Sequence, residues 1–265
     1  MKALQVFFTL FFLGCALQLF AQNPLVGTWE IKTDSTRGIK IITPTHWMVY
    51  WDTLAGDSSK FQIAGGGTYT LTGDKYIEKI TIGSWEDYGK EKTDFTYKVD
   101  GDTFYQKGPL TLGDGTVIPI DEAWQQVSSG KAYPKNPGVG TWNQLSSSYT
   151  TEEGKKESHT NATATRFEII TPTHWMRISH RDHKFENAMG GSYSMDGEKM
   201  ILQLDFASFP FEKGSKAELT QQVKGDKRYV HGMIRGADGK TVMSWDDVFQ
   251  KADGKPQMTK KMVKK

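Results

Sequence analysis

A chain of 265 residues with a formal net charge of +2, 37% hydrophobic residues and one cysteine is neither a disulfide-stapled scaffold nor a strongly basic nucleic-acid binder. Six of its lysines, against one aspartate, fall in residues 251–265, so the charge sits at the C-terminal end and the body is close to neutral. That end reads as a solvated tail over residues 253–265, and no nucleic-acid partner is expected.

The first element in chain order is a secretory signal peptide over residues 1–21. Lys2 supplies the positive start, the run from Leu4 to Leu13 is almost wholly apolar, and Ala21 precedes the expected cleavage point at Gln22. Gln5, Gly14 and Gln18 interrupt the run and no stop-transfer flank follows, which favours cleavage over a transmembrane anchor. A lipid on Cys15 is the lesser alternative, because Phe12 is bulky for such a signal and the following ALQLFA stays apolar. The expected destination is the periplasm or the exterior. Cleavage leaves no cysteine, so stability must come from buried cores.

From Gln22 onward the sequence repeats itself. PLVGTWEIK from Pro24 answers PGVGTWNQL from Pro137, IITPTHWM occurs from Ile41 and again from Ile169, GGTY ending at Tyr69 answers GGSY ending at Tyr193, and DEAWQQV from Asp121 answers DDVFQKA from Asp246. The order is kept throughout, which marks a duplication: one domain over 22–130, a Pro/Gly/Ser/Lys-rich linker over 131–137, and a second domain over 138–252. In the first copy, β-branched and aromatic runs predict eight strands, at 26–33, 38–43, 46–52, 61–71, 74–82, 94–100, 103–107 and 117–127. Tight turns alternate with longer loops between them, as in an up-and-down meander with one closed floor and one open mouth. The fold class expected is all-β: two tandem antiparallel up-and-down β-barrels. The span from Trp142 to His174 is 15 residues longer than that from Trp29 to His46, which places an insertion at the mouth of the second copy.

The Gly27-Thr28-Trp29 and Gly140-Thr141-Trp142 triplets, each opening a first strand, resemble the G-x-W signature of lipocalin and calycin barrels, and the string as a whole is similar to secreted bacterial lipocalin-like families. The resemblance implies that Trp29 and Trp142 lie across the barrel floors in a packing role. The copies are shorter than typical lipocalins and show no helix after the last strand, so a shorter, fatty-acid-binding-like barrel stays open.

Comparing the copies sorts the strand faces, on the premise that a lumen face stays mostly apolar in both. By that test His46, Met48 and Tyr50, matched by His174, Met176 and Ile178, face inward. So do Glu78, matched by Leu202, the pair Glu122 and Trp124, matched by Asp247 and Phe249, and Tyr105 and Lys107, matched by Tyr229 and His231. The ligand-binding candidates are therefore His46, Glu78, Tyr97, Tyr105, Lys107, Glu122 and Trp124 in the first copy and His174, Tyr229, His231 and Asp247 in the second. Because Leu fills the Glu78 position in the other copy, the carboxylate looks functional, and the expected activity is to hold a small molecule in the first lumen. Two alternatives are an acid–base enzyme of isomerase or lyase type using His46 with Glu78 or Glu122, and a structural or partner-binding envelope protein. No catalytic nucleophile motif or cofactor fingerprint is present, and His174, His231 and Asp247 lack a recognised ligand spacing, so neither cofactor nor metal is expected.

Overall fold

The structure is a computed structural model that describes residues 23–55, 58–127, 135–151, 153–160, 164–182, 184–211, 215–235 and 240–252. The expected signal peptide at 1–21, most of the 131–137 linker and the 253–265 tail lie outside the described residues.

Nineteen strands account for about three-quarters of the described residues. The first copy contains β1 (Gly27–Lys32), β2 (Thr36–Ile42), β3 (His46–Ala55), β4 (Ser58–Thr72), β5 (Lys75–Gly83), β6 (Lys92–Thr93), β7 (Phe95–Asp100), β8 (Thr103–Thr111) and β9 (Val117–Gln126). Each of β1 to β4 pairs antiparallel with the next. β5 joins β7, β7 joins β8, β8 joins β9, and β9 returns to β1 through Trp29 opposite Gln126, closing an eight-stranded barrel with β6 as an added edge on β8.

The second copy repeats the plan with β10 (Gly140–Thr151), β11 (Lys156–Thr160), β12 (Ala164–Ile170), β13 (His174–Arg181), β14 (Lys184–Asp196), β15 (Lys199–Gln203), β16 (Phe206–Ala207), β17 (Lys216–Lys224), β18 (Lys227–Arg235) and β19 (Thr241–Lys251). It closes between β10 and β19. The insertion forms β11, which pairs with the upper part of β10 while the lower part of β10 pairs with β12. It completes the wall where those two strands diverge.

Alternation within the strands sets what each barrel encloses. In β5, Tyr76, Glu78 and Ile80 are buried while Lys75, Ile77 and Lys79 face water. A bulge at Gly66/Gly67 then shifts the phase, so that Ile80 lies opposite Gly67 and Ile82 opposite Gly66. Only glycine is admitted at position 67, because a Cβ there would stand 1.9 Å from the Lys79 carbonyl oxygen. Beyond the bulge Ile82 leaves the lumen and points outward. Trp29, Ile42, Trp47, Tyr69, Tyr76, Ile80, Phe95, Phe104 and Trp124 fill the first lumen, and the floor indoles of Trp29 and Trp142 donate to the carbonyls of Leu25 and Gly138.

The outward apolar face is not solvated. Ile39, Ile41, Met48, Tyr50, Ala64 and Ile82 of the first barrel pack against their own counterparts in the second, Phe167, Ile169, Met176, Ile178, Ala188 and Phe206. Thr28 bonds Thr171 at 3.1 Å and Thr43 bonds Thr141 at 2.9 Å, a pair of contacts that exchange when the copies are swapped. The barrels therefore meet about a pseudo-two-fold axis, as two subunits of an isologous dimer would. The inward placement expected for His46, Met48, Tyr50, His174, Met176 and Ile178 is corrected here: an interface between barrels is as apolar as a lumen, and period-two alternation does not tell them apart.

Candidate functional site

The two lumens differ in kind. In the first, Lys40 of β2 is enclosed and donates from Nζ to Glu78 Oε1 at 2.9 Å and to Gln106 Oε1 at 2.7 Å. Tyr76 donates to the same Glu78 oxygen at 2.6 Å, and the rings of Trp47, Tyr76, Phe104 and Trp124 surround the ammonium at 5.2–5.9 Å. Glu122 accepts from Trp124 Nε1 at 3.0 Å; burial pushes its carboxyl up, with the Lys40 charge opposing. Toward the mouth, the indoles of Trp51 and Trp124 cross edge to face at 5.4 Å, and a side chain at Gly38 would meet both of them and Ile31 at 2.9 Å. The result is a satisfied polar network under an aromatic plug.

The second lumen holds a cavity of about 610 Å³. Its apolar side comes from Leu202, Leu204, Leu219, Val230 and Ile234, with Phe209 and Phe211 of the loop after β16 also lining it. Its polar side comes from β10, β12, β13 and β19, which contribute Ser147, Arg166, Glu168, Arg177 and Asp247. Near the floor Arg228 is ion-paired to Glu168 and lies under the rings of Trp142 and Phe249, its carbon at 5.2 and 4.5 Å from their centroids. Asp247 accepts from Gln144 Nε2 at 2.9 Å, and its carboxyl is raised by burial, with Ser147, Arg177 and Arg166 pulling the other way. Arg166 reaches Ser147 Oγ at 3.3 Å and stands 3.9 Å from Asp247; burial and the neighbouring Arg177 lower its basicity. At the rim, Tyr149 donates to Glu157 of β11, and Arg181 donates to Glu186 at 2.7 Å.

The candidate residues thus fall in three places. Glu78, Tyr97, Glu122, Trp124 and Asp247 border the two lumens. His46 and His174 lie on the barrel–barrel side, where the His46 ring is 5.3 Å from Phe167 and the buried His174 imidazole is held below its ordinary value by desolvation. This separates His46 from Glu78 by the thickness of the wall, and the acid–base pair does not assemble. Tyr105, Lys107, Tyr229 and His231 project outward, a second correction: Lys107 pairs with Asp121 at 2.8 Å and His231 with Asp246 at 2.9 Å on the solvent side. The true inward residues of those strands are Phe104 and Gln106, and Arg228 and Val230. One residue of slip reversed the strand.

Lys40, Gln106, Arg166, Glu168, Arg177 and Arg228 were not singled out from sequence. The signal lay in the repeat itself, where Gly38, Val49 and Phe104 of one copy become Arg166, Arg177 and Arg228 of the other. Among the described residues no group of three His, Cys, Asp or Glu side chains is placed to hold a metal ion, and no helix is long and apolar enough to cross a membrane.

No protein-family model matches the chain, and no curated protein matches it. Among solved structures, a protein of the DUF3598 family from Nostoc punctiforme is similar over 86% of this chain and 96% of its own, at 10% identity and a TM-score of 0.27. A DNA polymerase sliding clamp from Pseudomonas aeruginosa overlaps 88% of this chain and 59% of its own, at 8% identity and a TM-score of 0.15. The tandem barrel described above rests on its own strand pairing.

Proposed function

We propose that the protein is an exported, lipocalin-like binding protein that holds one small, largely apolar molecule in the lumen of its second barrel. The observation that carries this is the 610 Å³ cavity, whose apolar wall faces a few convergent polar groups, the usual makeup of a small-molecule site. The first barrel, plugged by Trp51 and Trp124, is the companion, which reverses the roles expected from the Glu78/Leu202 difference alone.

A neutral solvent-sensitive dye such as Nile red tests the reading directly. It should brighten and shift to the blue on mixing with the full mature protein. Leu202→Trp, which drives an indole into the cavity, should abolish the signal while circular dichroism still reports β-sheet. Dye binding that survives Leu202→Trp would place the site elsewhere and reject the assignment.

Export rests on Lys2, the apolar run from Leu4 and Ala21. N-terminal sequencing of the protein recovered from its own host should begin at Gln22. A chain that retains Met1, or carries a lipid on Cys15, would contradict this.

A further inference from the structure

The charges around the second lumen do not balance. Arg228 is matched by Glu168, Arg181 by Glu186, and Arg166 loosely by Asp247 at 3.9 Å, whereas Arg177 forms no ion pair among the described residues. Its Nη2 meets only the sulfur of Met189 at 3.3 Å, and its Nε has no acceptor. Two neighbouring donors on the same wall are also left over: the Nε of Arg166 and the indole Nε1 of Trp175, a residue only 4% exposed. Burying a guanidinium without a counter-charge is costly, and so is burying N–H groups without acceptors.

The framework does not demand these groups. The first barrel has Val49 where the second has Arg177 and Gly38 where it has Arg166, and it donates the equivalent indole, Trp47 Nε1, to the Thr68 carbonyl at 3.2 Å. The surplus donors of Arg166, Trp175 and Arg177 therefore belong to the second lumen alone, and these three gather on one wall opposite Leu202, Leu204, Leu219 and Val230, while the Nε of Arg228 is left over on the other side.

Resting on the ligand-binding reading above, we infer the class of the ligand: an apolar body carrying a single negative charge, a carboxylate, seated at Arg177 and Arg166 with the body against the leucine wall. One unmatched guanidinium on the wall calls for one anionic group. Asp247 is the internal competitor, since it already draws on the same two guanidinium groups. Two adjacent arginines also suit the planar, two-oxygen geometry of a carboxylate better than a neutral acceptor.

Calorimetric titration of the full mature protein with two matched pairs tests this: dodecanoate against dodecanol, and naphthaleneacetate against naphthaleneacetamide. Whichever body shape enters the cavity, its acid should bind about tenfold or more tighter than its neutral partner, as expected for a charge-assisted contact in a water-poor site. Arg177→Val, which installs the residue the first barrel already has, should bring that ratio close to one. Asp247→Asn should strengthen the acid and leave its neutral partner behind. Equal binding of acid and neutral forms, or a ratio that survives Arg177→Val, overturns the inference while the Nile red result stands. If all four probes and the dye fail to bind, the ligand-binding reading falls with it.

Discussion

Replacing Glu78 with leucine is expected to cost about 3–5 kcal/mol of stability, because it strands the ammonium of Lys40 inside the first barrel. The side chains of the pair are 4% and 6% exposed, so water does not screen the loss. Leu202 occupies the matching position in the second barrel without penalty, which from sequence alone argues that Glu78→Leu should be harmless. The structure gives the reason it is not. Where the first barrel has Lys40 the second has Glu168, and the balancing charge has moved to Arg228, at the position that Phe104 holds in the first barrel. The ion pair has been rebuilt from different strands. A double variant, Lys40→Met with Glu78→Leu, should therefore recover at least half of the loss, the remainder being the orphaned Tyr76 hydroxyl and Gln106 amide. Urea denaturation of the two single variants and the double reads all three values. Additive losses would show that the pair is not coupled.

An acid placed in the seam between the barrels should have an effect of similar size and a different form. Ile169 is fully buried in the inter-barrel cluster, and Ile169→Asp is expected to cost about 3–5 kcal/mol by putting an unpaired carboxylate there. Each barrel keeps its own lumen core, so the damage should fall on their association. Scanning calorimetry should show a single unfolding transition for the parent resolving into two in the variant. A variant that still unfolds in one step at the parent temperature would show that the seam does not couple the halves.

The architecture was legible because its signals are local. The eight barrel strands and tight turns of the first copy follow from runs of β-branched and aromatic residues broken by turn residues, the duplication follows from the repeated strings, and most strand ends in the first copy fall within a few residues of those expected. Face assignment failed where it depended on what lay beyond the strand. Met48 and Tyr50 are apolar because a second barrel covers them, a fact about tertiary packing that alternation does not encode. The premise that a lumen stays apolar also hid the polar wall of the second cavity: Val49 against Arg177 reads as drift on a wet surface, whereas Arg177 lines the second lumen. In β8, Phe104 against Arg228 argues for the wrong phase for the same reason. Asp247 and Glu122 were found because both copies retain an acid there among bulky apolar neighbours.

The seam and the lumens have diverged in different ways within this one chain. Across the seam the copies offer isoleucine to isoleucine at 41 and 169, methionine to methionine at 48 and 176, alanine to alanine at 64 and 188, and the same two threonine pairs, and where they differ, at Ile39/Phe167, Tyr50/Ile178 and Ile82/Phe206, one bulky uncharged side chain replaces another. Inside, lysine has become glutamate at 168, glutamate has become leucine at 202, and phenylalanine has become arginine at 228. In a dimer of identical single-barrel chains, every change to a lumen would appear twice. Joining the copies in one chain removes that restriction: the shared face must stay self-complementary, but each interior is free to take its own course, so one half can serve as a solid support for the hollowing of the other.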